Sequence, residues 1–167
     1  MNLLWAPWRI PYLRKAMKKS TPPKNCFFCA YAGEPKKDRK NLVVHRGRSG
    51  FIVLNRFPYQ GGHLLIAPFA HKADLALLSE AERMDLFDFL VLAQETLDSA
   101  MHPQGYNIGL NVGRAAGAGV PGHLHFHIVP RWNGDANFMA SVSNTRVIPQ
   151  ALKTLHAELQ KTLRQCR

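Results

Sequence analysis

Residues Gly122 to Trp132 read GHLHFHIVPRW. Imidazole and apolar side chains alternate: His123, His125 and His127 take every second place, with Leu124, Phe126 and Ile128 as their neighbours. On a strand, side chains two apart share a face. The stretch therefore predicts a strand that packs Leu, Phe and Ile on one side and presents three imidazoles on the other. One histidine on a strand is usually an ordinary hydrogen-bonded group. Three in strict alternation, with Arg131 close behind, are costly to bury without a use. Two uses fit. Alternate histidines can hold a metal in an open catalytic centre. They can also act on phosphate: a neutral imidazole attacks phosphorus while its neighbours hold oxygens or protonate the leaving group.

The loop ahead of the strand favours phosphate. Gly113, Gly117, Gly119 and Gly122 let the backbone approach a ligand closely and turn N–H groups toward an anion. Further upstream, Leu42–His45 and Phe51–Asn55 read as a hairpin around Arg46-Gly47-Arg48-Ser49-Gly50. A third strand is expected at His63–Ala67 and a fourth at Tyr106–Val112. Ser79-Glu80-Ala81-Glu82 is a capping-box pattern opening a helix to about Met101. Met84, Phe87 and Val91, with Leu90 and Leu97 beside them, supply its apolar stripe. A last helix is expected from Pro149, at its first turn, to about Leu163. Short connections between strands, with helices interspersed, predict an antiparallel sheet with helices packed on it, an α+β domain. At 167 residues the chain suits a single domain, with an arm over 1–25 and a core over 42–132.

The net charge of +11 is unevenly placed. Residues 1–56 hold 13 Lys and Arg against only Glu34 and Asp38, so the first third carries the whole surplus. That implies a phosphorylated partner, whether nucleotide or nucleic acid, or else a solvated basic arm. The arm is Pro- and Lys-rich, with Trp5 and Trp8 flanking Ala6-Pro7. Its basic residues do not alternate with aromatics as a base-stacking platform requires, so nucleic acid is not favoured. No apolar run is long enough to span a membrane, and the order of apolar and basic residues at the start is wrong for a secretory signal. A cytoplasmic protein is expected. Three cysteines do not make a disulfide framework; Cys166 is expected to be an exposed bystander, while Cys26-Phe27-Phe28-Cys29 has the spacing of a zinc knuckle. A pair needs two more ligands, and redox or plain core roles compete. His45, His102 and His156 have no such context.

HLHFHIV resembles the His-φ-His-φ-His-φ-φ pattern of the histidine triad (HIT) superfamily of nucleotide hydrolases and transferases. LNRFP followed by GGHLLIAP is similar to that family's nucleotide-binding strand pair. LWAPWR, CFFC, AGAGVPGHLHFHIVPRWNGDANFM and VIPQAL resemble the bacterial branch related to diadenosine tetraphosphate phosphorylases. The resemblance covers nearly the whole chain. It implies an α+β fold and a homodimer with a sheet continuous across the two-fold axis.

It also implies roles. His125 would attack the α-phosphate of diadenosine tetraphosphate or a related nucleoside polyphosphate and form a nucleotidyl-histidine intermediate. His127 would contact the phosphate, and His123 would shape the site from its edge. Asn55 would bind the ribose, Asn111 would lie near the phosphates, and His63 would support the site from behind. Cys26, Cys29, His71 and His123 would form a closed structural zinc site, leaving the chemistry to His125 and His127. A divalent cation could accompany the substrate. Gly119 stands where hydrolase branches often carry Gln, and His127 is kept where nucleotidylyltransferases carry Gln. The acceptor, water or inorganic phosphate, stays open between these branches. The alternative is a protein of the same type that removes adenylyl groups from nucleic-acid ends, or that senses nucleotides, using its basic first third.

Overall fold

The computed structural model describes residues 26–135 and 148–165. The basic arm with Trp5 and Trp8, and Cys166, lie outside them. Five strands form one antiparallel sheet: β1 (Val43–Arg46), β2 (Gly50–Leu54), β3 (Leu64–Pro68), β4 (Gly105–Leu110) and β5 (Phe126–Arg131), in the order β1-β2-β3-β5-β4. The helices are α1 (Phe27–Gly33), α2 (Asp38–Asn41), α3 (Glu80–Met101) and α4 (Leu152–Gln165). This is the expected α+β architecture. Among the described residues no helix is long and apolar enough to cross a membrane.

Strand alternation sorts the core onto two faces. Leu42, Val44, Ile52, Leu54, Leu64, Ile66, Leu124, Phe126 and Ile128 pack under α3 and α4. Val43, Phe51, Val53, Leu65 and Ala67 face the other way, and α1 covers them with Cys26 and Phe28. Arg46 fastens that cover. It makes a bidentate pair with Asp38, donates to the carbonyls of Tyr31 and Ala32, and lies over the Phe51 and Phe69 rings at 5.6 and 5.8 Å.

Helix α3 starts as its sequence predicts. Ser79 Oγ accepts from the Glu82 amide at 3.2 Å, and Glu82 Oε2 accepts from the Ser79 amide at 2.6 Å. Its buried face differs from the expected one. Leu86, Phe89, Leu90, Ala93 and Leu97 meet the sheet, whereas Met84, Phe87 and Val91 are 57–60% exposed. The helix carries two apolar stripes at helical spacing, and periodicity does not say which one the sheet covers. Helix α4 begins at Leu152, so Pro149 precedes the helix instead of occupying its first turn. Its Leu155, Leu159 and Leu163 are buried. Its His156 Nε2 donates to the Val43 carbonyl at 2.8 Å, and Gln160 Nε2 donates to the same oxygen at 3.2 Å. Val43 sits where the β1–β2 register slips. The two side chains from α4 bond its carbonyl there. His45 is also a core residue, edge-on to Phe89. His102 closes α3 in the left-handed region at φ 47°.

The histidine strand is shorter than its alternation predicts. β5 begins at Phe126, so only His127 lies within the ladder, opposite Leu65. Alternation nevertheless persists, since Leu124 stays in the helix-side core while His123 and His125 point away from it. The ladder stops because β3 ends in Pro68, which has no N–H to donate. Other partners bond the segment instead: the Leu124 amide donates to the Lys72 carbonyl at 2.7 Å, and the Pro68 carbonyl accepts from the His123 ring.

Candidate active site

Cys26 caps the N-terminus of α1 and Cys29 follows one turn later, so the helix aims both sulfurs at one point. Cys26 Sγ is 3.3 Å and Cys29 Sγ 3.5 Å from His123 Nδ1, and Cys29 Sγ is 3.2 Å from His71 Nδ1. The ligand atoms of Cys26, Cys29, His71 and His123 all lie within 4.8 Å of one another. A tetrahedral zinc with two sulfur and two nitrogen ligands sets neighbouring ligand atoms about 3.3–3.8 Å apart, so these four residues fit it. The ring of His123 is turned for that role. Its Nε2 donates to the Pro68 carbonyl at 2.9 Å, which leaves Nδ1 with its lone pair toward the sulfurs. Burial holds His123 down to about pKa 4, which keeps the ring neutral. Burial, then the neighbouring Cys26, push the Cys29 thiol up to about 11. Gly122 lies close beside this cluster: a Cβ there would sit 3.1 Å from His71 Nε2 and press on that ring.

His125 is buried, and its Nδ1 donates to the His123 carbonyl at 2.8 Å. That contact assigns the proton to Nδ1 and leaves a lone pair on Nε2. Burial lowers its pKa below the ordinary histidine value and outweighs the opposing effect of the bond to the His123 carbonyl, so the neutral ring is favoured near neutral pH. Its ring centroid lies 5.0 Å from His127 and 4.8 Å from Phe28.

A second set of contacts orients His127. His63 Nδ1 is approached by two donors: the Tyr59 amide at 3.1 Å and Asn55 Nδ2 at 3.2 Å. The Asn55 amide is not reversed, because its Oδ1 accepts from the Phe57 amide at 3.0 Å. His63 Nδ1 is therefore an acceptor, and its proton sits on Nε2, 3.0 Å from His127 Nδ1. His127 Nδ1 must then accept, which places the His127 proton on Nε2. Burial, reinforced by the nearby His127 and His125, holds His63 down to about pKa 3, so this polarity does not reverse near neutrality.

A cleft of about 260 Å3 opens beside His127, lined by Tyr59, Asn107, Asn111 and Val129 among others. The structure thus brings Asn111, His127, His63, Asn55 and His125 into one neighbourhood, with the metal-type cluster behind it. Asn55 keeps one carbonyl lone pair and one amide hydrogen beyond its local bonds. Gly113 and Gly117 take positive φ, but the loop turns part of itself inward. The Gly117 amide bonds Arg114, Ala118 bonds Gly113, and His123 bonds Val120. Gly119 lies half-buried in this loop. Arg131 does not reach the histidines. It sits four residues beyond His127, about 13 Å along the strand. There its guanidinium is held by Asp135 at 2.6 and 2.9 Å and by Asn107 at 2.7 Å.

Sequence reasoning missed two residues. Tyr59 stacks on His127, with centroids 5.9 Å apart and planes at 13°. Phe28 touches both His123 and His125. Phe28 stood inside the CFFC motif and Tyr59 between the LNRFP and GGHLLIAP motifs, but only the fold shows what the rings meet.

The HIT domain family matches residues 36–134. An AP-4-A phosphorylase of Mycobacterium tuberculosis is 38% identical over 159 residues, covering 92% of this chain and 80% of that one. A Zn-bound histidine triad family protein from Mycobacterium smegmatis superposes with a TM-score of 0.69 at 26% identity, covering 86% of this chain and 96% of that one. A uridylyltransferase structure shares the fold at TM-score 0.70 and 19% identity, over 98% of this chain and 53% of that one. With its three alternating histidines, of which His127 lines the cleft, and its sequence matched over most of its length, the chain belongs to the histidine triad family.

Proposed function

We propose that this nucleotide-processing enzyme cleaves diadenosine tetraphosphate, or a related nucleoside polyphosphate, through a covalent nucleotidyl-His125 intermediate. The observation that carries the reading is the opposite proton placement on neighbouring imidazoles: His125 offers a lone pair at Nε2, and His127 offers an N–H at Nε2. A nucleophile, and a hydrogen-bond donor for the charge that develops on the leaving oxygen, are suited to in-line displacement at phosphorus. His125 Nε2 forms a bond to the α-phosphorus, the bond to the bridging oxygen breaks with its electron pair leaving on the polyphosphate, and the His127 Nε2–H hydrogen-bonds that oxygen while keeping its proton. Water or inorganic phosphate then takes the nucleotidyl group from His125. Asn55 is suited to a ribose hydroxyl, and Asn111 to the phosphates in the cleft.

Zinc in the Cys26, Cys29, His71 and His123 cluster would supply cross-linking and no chemistry, since all four ligands come from the protein and His123 is turned away from the cleft. A second copy of the chain is the natural cover for the open sheet edge. Strand β4 is an edge strand, its Ile108 is 46% exposed, and the exposed Phe87 of α3 approaches Phe126 of the adjoining β5. Support also comes from the similarity to the Mycobacterium tuberculosis AP-4-A phosphorylase.

Product analysis tests the reading. Diadenosine tetraphosphate is incubated with the protein, with and without inorganic phosphate, and the nucleotides are separated. ADP with ATP, formed only with phosphate, identifies a phosphorylase; AMP with ATP, formed regardless, identifies a hydrolase. His125→Ala should abolish either while leaving nucleotide affinity within about tenfold. Turnover surviving in that variant overturns the assignment.

A further inference from the structure

The Cys26-Phe27-Phe28-Cys29 turn does more than gather two sulfurs. Its two phenylalanine rings lie 4.1 Å apart, centroid to centroid, with Phe27 38% exposed on the outside and Phe28 fully buried beneath. The Phe28 ring lies 5.1 Å from His123, 4.8 Å from His125 and 6.2 Å from Phe51. One apolar ring therefore abuts both a member of the metal-type cluster and the proposed nucleophile. The bond from Nδ1 to the His123 carbonyl fixes one edge of the His125 ring. One hydrogen bond does not fix a plane: an imidazole can still swing about it or flip, exchanging the ring atoms presented to the cleft. A flat, fully buried neighbour at van der Waals range removes that freedom.

We propose that Phe28 is a positioning residue for His125, and that the knuckle is built to press this ring against the nucleophile. This rests on His125 being the nucleophile. The cysteines fix the first turn of α1, the turn fixes Phe28, and Phe28 with the His123 carbonyl fixes the plane in which His125 Nε2 faces phosphorus. Leu or Met at position 28 fills much of the volume but offers no flat face, so His125 samples orientations from which Nε2 misses its target. A displacement of about 1 Å at a reacting atom costs on the order of a hundredfold in rate.

The test compares Phe28→Leu and Phe28→Met with the parent, using diadenosine tetraphosphate with phosphate present. Phe89→Leu, a truncation in the core beneath α3 and beside His45, controls for general loosening. The expected result is a fall in kcat of about 10- to 100-fold for both Phe28 variants, with KM within about threefold and metal content unchanged. The parent kcat should persist in Phe89→Leu. Nitrogen-15 spectra of the imidazoles, at one fixed pH and without substrate, should show a single Nδ1–H form of His125 in the parent and a mixture in the variants. A parent-like kcat in either folded Phe28 variant overturns the proposal. So does a matching fall in Phe89→Leu, or metal loss from the Phe28 variants, which would make the ring a part of the knuckle alone. The parent spectrum decides even if neither variant folds: a mixed or Nε2–H form of His125 refutes it. His125→Ala keeps the two readings apart. Turnover there removes the nucleophile assignment, whereas an inert His125→Ala beside a normal Phe28→Leu removes only the role of Phe28.

Discussion

Acidification should destabilise this protein through His63, and the amount follows from its surroundings. The ring is fully buried. It meets Tyr59 and His127, with Asn55 bonded at Nδ1 and the nearby His125 adding to the repulsion of a second positive charge. Its pKa is held down to about 3, against about 6.5 in an unfolded chain. Between those values the unfolded chain binds a proton that the folded one refuses, so stability falls as pH drops through this window and is fully retained above it. Each pH unit is worth about 1.4 kcal/mol, so from pH 7.5 to 4.5 His63 alone removes about 3 kcal/mol. His63→Gln isolates that contribution. Its Oε1 can accept from the Tyr59 amide and its Nε2 can donate to His127, but it has no titrating proton. Urea unfolding of both proteins at pH 7.5, 6.5, 5.5 and 4.5 gives two stability curves. The gap between them should shift by about 3 kcal/mol in favour of the variant across the range, all other groups cancelling. Curves that stay parallel within about 0.5 kcal/mol would mean that His63 accepts a proton in the fold, and the polarity assigned to His127 would go with it.

Other perturbations reach other parts of the structure. Cys26→Ala should release metal measured by atomic absorption and lower thermal stability by the binding linkage, about 4 kcal/mol for a site held a thousandfold above its Kd; unchanged metal content would remove the four-ligand assignment. Ser79→Ala deletes one half of the capping box and should cost about 1 kcal/mol by urea unfolding, with no loss of turnover. Val91→Arg places a charge on the exposed flank of α3 without touching the buried face. A second copy docked there should be expelled, halving the mass seen by sedimentation equilibrium, and a mass unaffected by the change would put the interface elsewhere.

The strand alternation, the capping box and the spacing of CFFC are local patterns, and from them the sheet, the start of α3 and the paired sulfurs were legible. Longer-range choices were not. Helix α3 has two apolar stripes, and only the packed sheet selects Leu86, Phe89, Leu90, Ala93 and Leu97 over Met84, Phe87 and Val91. Arg131 looked placed for phosphate because it follows the histidines in sequence. Strand length carries it away, and Asp135 claims its guanidinium. Clustering of His71 with residues 42 to 52 positions away was legible only through family resemblance, since no local rule links a histidine after β3 to cysteines before β1. The proton placements were beyond reach, because they depend on which backbone atoms happen to meet each ring.

Those atoms have a consequence for how the site tolerates change. The Tyr59 amide and the His123 carbonyl belong to the main chain, and they dictate which nitrogen of His63 and of His125 is protonated. Replacing the side chain at position 59 leaves its instruction in place, except for proline, which has no hydrogen to give. The His123 carbonyl likewise outlasts any replacement of its imidazole, provided the backbone keeps its path. The protonation pattern is thus set by main-chain atoms at these two positions, with Phe28 holding the His125 ring in place to meet its partner. Sequence drift at these two positions can alter affinity or metal binding while the hydrogen-bond donor and the nucleophile keep their identities.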